Sequence, residues 1–162
     1  MLFSALASSL VLCTTLRTFH VPIKPGLPLI FADRDRVAEV LANLCDNADK
    51  YSPPGAEILI DVRADQTTVT IAVCDMGRGI RDVDRKRIFD KFYRAKPARE
   101  GGVGLGLTIC RGIIEAHEGR IWAENRSGGG TIVRFSIPLP DQQPAVAMEQ
   151  TETQRWMVPL PF

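Results

Sequence analysis

Four polar side chains, Glu39, Asn43, Asn47 and Lys50, stand three or four residues apart within the segment Arg34 to Pro53. Side chains at that spacing share one face of an α-helix. Asparagine is a mediocre helix former because its amide competes for backbone hydrogen bonds, so two of them one turn apart need a reason. One reason is a solvated face. The other is a ligand, since an amide oxygen coordinates a hard cation such as Mg²⁺ and a lysine one turn on meets phosphate. Two further stretches carry compatible chemistry. Asp75-Met76-Gly77-Arg78-Gly79 closes an apolar run, where glycines let backbone approach a ligand and the aspartate offers an acceptor for an amino group. An everyday turn has the same composition. Gly104-Leu105-Gly106-Leu107 leads into Ile109, Ile113, Ile114 and Ala116. A glycine-rich loop feeding a helix start presents free N–H groups and the positive end of the helix dipole, which suits phosphate; a flexible hinge reads the same way. No Gly-Lys-Ser/Thr is present and no strand pattern immediately precedes the glycines, so neither the P-loop nor the dinucleotide fingerprint applies.

The helix that carries the asparagines has Val37, Val40, Leu41, Leu44 and Ala48 on its other face, Asp33 as N-cap and Pro53 as its stop. Ahead of it Phe19, Val21 and Ile23 alternate, and Leu29-Ile30-Phe31 forms a short apolar run; together they predict one or two strands. After it Ile58, Ile60, Val62 and Val69, Ile71, Val73 alternate on either side of polar Ala64-Asp65-Gln66-Thr67, which predicts an antiparallel hairpin. Val83 to Phe92 predicts a short helix with Ile88, Phe89 and Phe92 in the core. Tyr93 to Val103 is aperiodic and basic, and predicts a mobile loop. Arg120 to Glu124 and Thr131 to Ile137 flank Ser127-Gly128-Gly129-Gly130, a second hairpin.

With 162 residues and a formal net charge of +1, the chain is long enough to bury a core and has no basic excess to recommend nucleic acid as a partner. Cys13, Cys45, Cys74 and Cys110 lie far apart in apolar runs without a CxxC pair, and read as small core residues in a reducing, cytoplasmic compartment. Residues 1–16 carry no charge. That run is shorter than the roughly 20 residues that span a bilayer and lacks the basic start of a signal, so it reads as a helix remnant, with a signal-like segment as the alternative. Residues 17–140 read as the domain, and 141–162, polar and aperiodic, as a disordered tail.

In their order, the asparagine helix, Asp75-x-Gly77-x-Gly79, the Phe-containing helix predicted over Val83 to Phe92, the basic loop and Gly104-Leu105-Gly106-Leu107 resemble the N, G1, F and G2 boxes of the GHKL ATP-binding family, over about Leu29 to Pro140. The likeness is to the ATP-binding catalytic domain of bacterial sensor histidine kinases, and Gly104 to Asn125 resembles the Kdp-type potassium sensors among them. It implies a two-layer α/β sandwich, the Bergerat/GHKL fold, with a mixed, mostly antiparallel sheet covered on one face by helices. It implies ATP and Mg²⁺, with Asn47 on the metal, Lys50 on phosphate, Tyr51 on the base and Asp75 on the adenine amino group. Gly77 and Gly79 would pass the base, Gly104, Leu105 and Gly106 would admit phosphates, Asn43 would lie beside them, and Arg94 resembles a lid-base arginine directed at the γ-phosphate.

Family members that hydrolyse ATP, gyrase-like and chaperone-like, place a Glu one turn before the metal asparagine to activate water. Asn43 stands there, and an amide is no general base. The resemblance therefore implies transfer of the γ-phosphoryl to a histidine, by positioning and charge neutralisation. In the family that histidine sits on an upstream dimerisation domain; His20 and His117 lack its surroundings and read as structural. The acceptor is expected in trans or on a missing domain, with a response regulator as indirect partner. A non-catalytic ATP-binding or partner-docking module and an anti-sigma-type serine kinase are the alternatives. Met76, Asp49 and Glu118 depart from the family pattern, the last replacing a usual glycine.

Overall fold

In the computed structural model, which describes residues 19–22, 26–94 and 104–140, the asparagine helix α1 spans Arg34–Tyr51. It begins where predicted. Asp33 Oδ1 accepts from the N–H groups of Asp35 and Arg36 at 3.0 and 3.1 Å, satisfying two donors that a helix start leaves over. It stops at Ser52, whose extended backbone leads into Pro53.

Residues of alternating character become strands β1 (Phe19–His20), β2 (Ile58–Ala64), β3 (Thr68–Cys74), β4 (Arg120–Asn125) and β5 (Thr131–Pro138). They form one sheet in the order β1-β2-β3-β5-β4, parallel only between β1 and β2. The register pairs Val62 with Ile71 and Ile71 with Phe135, so every second side chain falls on the same face. On that face Ile58, Ile60, Val69, Ile71, Val73, Phe135 and Ile137 meet Val40 and Leu44 of α1 and Cys110 and Ile114 of helix α2 (Gly106–Ala116). At about 1.5–3 kcal/mol for each large apolar side chain buried, this layer outweighs the exposed ion pairs, which are worth about 0–1 kcal/mol each. In the first hairpin Asp65 Oδ1 accepts from the Thr67 and Thr68 amides, both at 2.8 Å, and these bonds hold its carboxyl down to about 2.

Two expectations are corrected. Leu29-Ile30-Phe31 is coil, so the two runs give one strand and not two: Ile30 and Ala32 turn inward while Leu29 and Phe31 are exposed, but no strand among the described residues pairs with the segment. Val83 to Phe92 is not one helix but two single 3₁₀ turns, Asp82–Asp84 and Arg87–Phe89. The second turn ends at Asp90, whose extended backbone cannot continue a helix, and the Asp84 carboxylate bonds Arg81 and Tyr93 across the two turns. Phe89 is buried as expected, but Phe92 is 66% exposed. Cys45, Cys74 and Cys110 are buried free thiols. Cys13, Ile23, residues 1–16, the 95–103 part of the basic loop and residues 141–162 lie outside the described residues.

His117 is structural, as expected. Its Nε2 accepts the Asp33 N–H at 2.9 Å, so Nδ1 carries the ring proton and donates to Ile113 O at 2.7 Å, tying the end of α2 to the start of α1. The α2 terminus closes by Gly119 N–H to Ile114 O at 2.9 Å and Glu118 N–H to Glu115 O at 3.0 Å, a paired cap that needs a left-handed residue. Glu118 supplies it at φ 56°, which explains why the pattern favours glycine there. A non-glycine residue in that conformation costs about 1 kcal/mol. Glu118→Gly should therefore raise the thermal midpoint by about 2–5 °C, followed by circular dichroism, whereas an unchanged or lower midpoint would show that the cap is not strained.

Candidate functional site

The last residue of β3 hands the chain to Asp75, a buried carboxylate. Its N–H donates to Thr131 O at 2.9 Å, and its Oδ1 accepts from Thr131 N–H at 2.9 Å and Gly77 N–H at 2.7 Å. Backbone amides thus hold the buried charge, and both bonds fall on Oδ1. Oδ2 is the oxygen left to meet an incoming donor.

The loop that follows lies flush on the end of α1. A Cβ on Gly77 would stand 2.6 Å from Tyr51 O, and Ser52 Oγ accepts the Met76 N–H at 3.3 Å. The loop's other side is clasped by Asn125, whose Oδ1 accepts from Ile80 N–H at 2.7 Å and whose Nδ2 donates to Ile80 O at 2.8 Å. Gly79, at φ 77°, packs on that same amide, and Gly130 packs on Asp75 O so closely that no side chain fits between them. Asn125, Thr131, Ser52 and Gly130 escaped the sequence reading. Asn125 and Ile80 are 45 residues apart, and no local pattern links them.

At the middle of α1, Asn43 Nδ2 donates to Glu39 O at 3.0 Å, and Asn43 Oδ1 lies 3.1 Å from where a Cβ on Gly106 would stand. Glycine at the first position of α2 is what permits that approach. Leu105, the cap residue of α2, makes no side-chain cap bond, so the amides of the first turn are left to other acceptors. A Cβ on Gly104, at φ 76°, would stand 3.2 Å from the backbone of Phe92 and Tyr93, and Thr108 Oγ1 donates to Phe89 O at 3.1 Å. These contacts seat the α2 start beside Arg94, which is half-buried. Asn47 is half-buried one turn beyond Asn43; Lys50 and Tyr51 are exposed in the last turn.

The predicted residues therefore gather along α1. Asp75, Gly77 and Gly79 are at its C-terminal end, and Gly104, Leu105, Gly106 and, through Gly104, Arg94 are near its middle. Asn43 and Tyr51 are about 12 Å apart along the helix. Among the described residues no three His, Cys, Asp or Glu side chains form a metal cage. Mg²⁺ retains several waters and takes phosphate oxygens with one or two protein oxygens, and the half-buried Asn47 amide, one turn from the Asn43 that meets the α2 start, fits that mode. No helix among the described residues is long and apolar enough to cross a membrane.

A family model described as histidine kinase-, DNA gyrase B-, and HSP90-like ATPase matches residues 32–141. The chain is 41% identical over 133 residues to the sensor histidine kinase WalK of Bacillus subtilis (strain 168), covering 76% of this chain and 22% of that protein. It is 40% identical over 124 residues to the adaptive-response sensory kinase SasA of Synechococcus sp. (strain JA-2-3B'a(2-13)), covering 75% and 33%. The chain thus spans between 22% and 33% of the length of these curated relatives. The nucleotide-free catalytic domain of histidine kinase ThkA superposes with a TM-score of 0.71 at 32% identity, covering 85% of this chain and 93% of that one. ThkA in complex with the response regulator protein TrrA gives 0.69 at 30% identity, covering 85% and 40%. The mixed α/β architecture expected from the sequence is that of these catalytic domains; a Kdp-type affinity finds no support in WalK or SasA.

Asn125→Ala removes both bonds to Ile80. It should lower stability by about 1 kcal/mol in urea unfolding and raise amide hydrogen exchange at Ile80 by about tenfold. Unaltered protection of Ile80 would mean that the clasp does not hold the loop.

Proposed function

The chain belongs to the histidine kinase-, DNA gyrase B- and HSP90-like ATPase family, and on that premise we propose that it is the ATP-binding catalytic domain of a two-component sensor histidine kinase. It transfers the γ-phosphoryl of Mg-ATP to a histidine supplied by another chain or domain. The observation that carries this reading is the double seating of glycine loops on α1, Gly77 against Tyr51 and Gly106 against Asn43. The two seats lie about 12 Å apart along α1, with a carboxylate at one end and uncapped helix amides at the other, a separation that suits a base at one end and phosphates at the other.

In this mechanism Asp75 Oδ2 accepts the adenine amino group while Gly77 and Gly79 bring backbone against the ring and Tyr51 covers the same end. Lys50 offers a point charge to the phosphates, the Gly104-Leu105-Gly106 start offers amides and its dipole, and Arg94 meets the γ-phosphate. Asn47 would hold Mg²⁺, which when bound would supply positive charge to offset that of the phosphates. The imidazole nitrogen of the incoming histidine forms a bond to the γ-phosphorus as the bond to the bridging oxygen breaks, and ADP departs with that electron pair. Positioning and electrostatics supply the catalysis. Water is a poor competitor because Asn43, an amide bonded to Glu39 O, has no basic atom to activate it.

The acceptor lies elsewhere. His117 has both ring nitrogens engaged, and His20 is on the edge strand β1. The ThkA–TrrA complex supports a response regulator as the downstream partner, and the buried free thiols suit a cytoplasmic setting. The Kdp-type likeness rests on Gly104 to Asn125 alone and carries no subfamily assignment.

Incubating the full chain with γ-labelled ATP and a separately purified acceptor domain should place label on that domain's histidine. Binding of ATP without any labelling would convert the reading to a nucleotide-binding module. Asn47→Ala should abolish the Mg²⁺-dependent part of ATP affinity, and Asp75→Ala should cut the preference for ATP over an inosine nucleotide by about tenfold. Calorimetric titrations with wild-type values for either mutant would contradict these roles.

A further inference from the structure

Asp84 is a carboxylate with 1% exposure that the chemistry above does not use. A buried charge needs partners. It accepts from Arg81 Nε at 2.7 Å, from Arg81 Nη2 at 3.1 Å and from the Tyr93 hydroxyl at 2.6 Å. Arg87 Cζ lies 4.4 Å from the centroid of the Tyr93 ring, within cation–π range. The Arg81 guanidinium, and after it the Tyr93 hydroxyl, holds the Asp84 carboxyl below the usual carboxylate range, and the same bond raises the Tyr93 hydroxyl above the usual phenol value.

Neutralising Asp84 would require no more than Arg81. The reach across nine residues to Tyr93 does something else, because it fixes the residue immediately before Arg94. It does so against a cost. Phe92 is held at φ 62°, in the left-handed region that a residue with a side chain avoids, and its ring is left exposed. Strain kept beside a ligand-facing residue is a sign of function rather than of packing. From the opposite side Gly104 packs against the same Phe92–Tyr93 backbone, closely enough that a Cβ on it would stand 3.2 Å from Tyr93 O. The base of Arg94 is therefore clamped between Asp84 and the start of α2.

We propose that Asp84, acting through the Tyr93 hydroxyl, is a positioning residue that sets Arg94 for the terminal phosphate of ATP and so governs discrimination between ATP and ADP. The inference rests on the ATP-binding reading above and assigns a part of that site to a side chain that touches no nucleotide. A long flexible arginine loses less freedom on binding when its base is already fixed, so the clamp favours only the phosphate that Arg94 reaches.

The test is calorimetric titration of the full chain with ATP and with ADP, each with Mg²⁺, for the wild type, Tyr93→Phe, Arg94→Ala and the double variant. Tyr93→Phe deletes one hydroxyl and is expected to lower the ratio of ATP to ADP affinity by about fivefold while ADP affinity stays within about twofold. In the Arg94→Ala background the same change should have no further effect on the ratio, the non-additivity of two residues acting as one unit. An unaltered ratio in Tyr93→Phe, an equal loss for both nucleotides, or additive effects in the double variant would each overturn the proposal. A wild-type chain that binds neither nucleotide would instead overturn the ATP-binding reading itself.

Discussion

The reciprocal pair between Asp75 and Thr131 is where the sheet stops being scaffold and becomes site. Asp75 and Thr131 exchange two backbone-anchored bonds, one from the Asp75 N–H and one into its carboxylate. The side chain thereby takes the place that the next rung of the β3–β5 ladder would occupy beyond Cys74 and Ile132. Because the carboxylate is buried, it survives only where amides point at it, and those amides belong to Thr131 and Gly77. The position of the proposed acceptor for the base is thus inherited from strand register. A slip of one residue would turn Asp75 to the opposite face along with every core side chain of β3.

From that point α1 serves as the common wall. Its apolar face is committed to the sheet through Val40, Leu44 and Ala48, which leaves the face with Asn43 and Asn47 to the cleft. Two loops that never approach each other in sequence are aligned because each packs on this one helix. Its own alignment is set by His117, which bridges the start of α1 and the end of α2. The two helices therefore cannot slide past each other without breaking a bond to a main-chain amide.

Local patterns are legible in the sequence, and long-range ones are not. Alternation at Ile58 to Val62 and Val69 to Val73, the three-and-four spacing in α1 and the Asp33 cap all act within a few residues, and the fold follows them. The order of the Asp75, Gly77, Gly79 and Gly104, Leu105, Gly106 stretches points to one cleft for the same reason: each glycine marks a close approach even when the partner is unknown. The partner itself leaves no local trace. Nothing near Asn125 indicates Ile80, and nothing in a largely charged run such as Val83 to Phe92 announces that Asp84 will be buried or that the run will form two separate turns. Hydrophobicity argues for burial of Phe92, whereas the left-handed backbone there turns its ring outward.

The edge strand β1 offers one more consequence. Among the described residues Phe19 and His20 pair with β2 in parallel, and Leu27 to Asp33 runs as coil to the α1 cap. Among the described ladders this short parallel one is the weakest seam. Tension delivered at Phe19 would part that seam before the longer β2–β3 and β3–β5 ladders, and would next meet the packing of Leu27, Ile30 and Ala32 on the core, with the Asp75 carboxylate undisturbed. Mechanically the cleft is sprung from its leading end, and only a pull strong enough to unseat Asp33 from His117 would reach it.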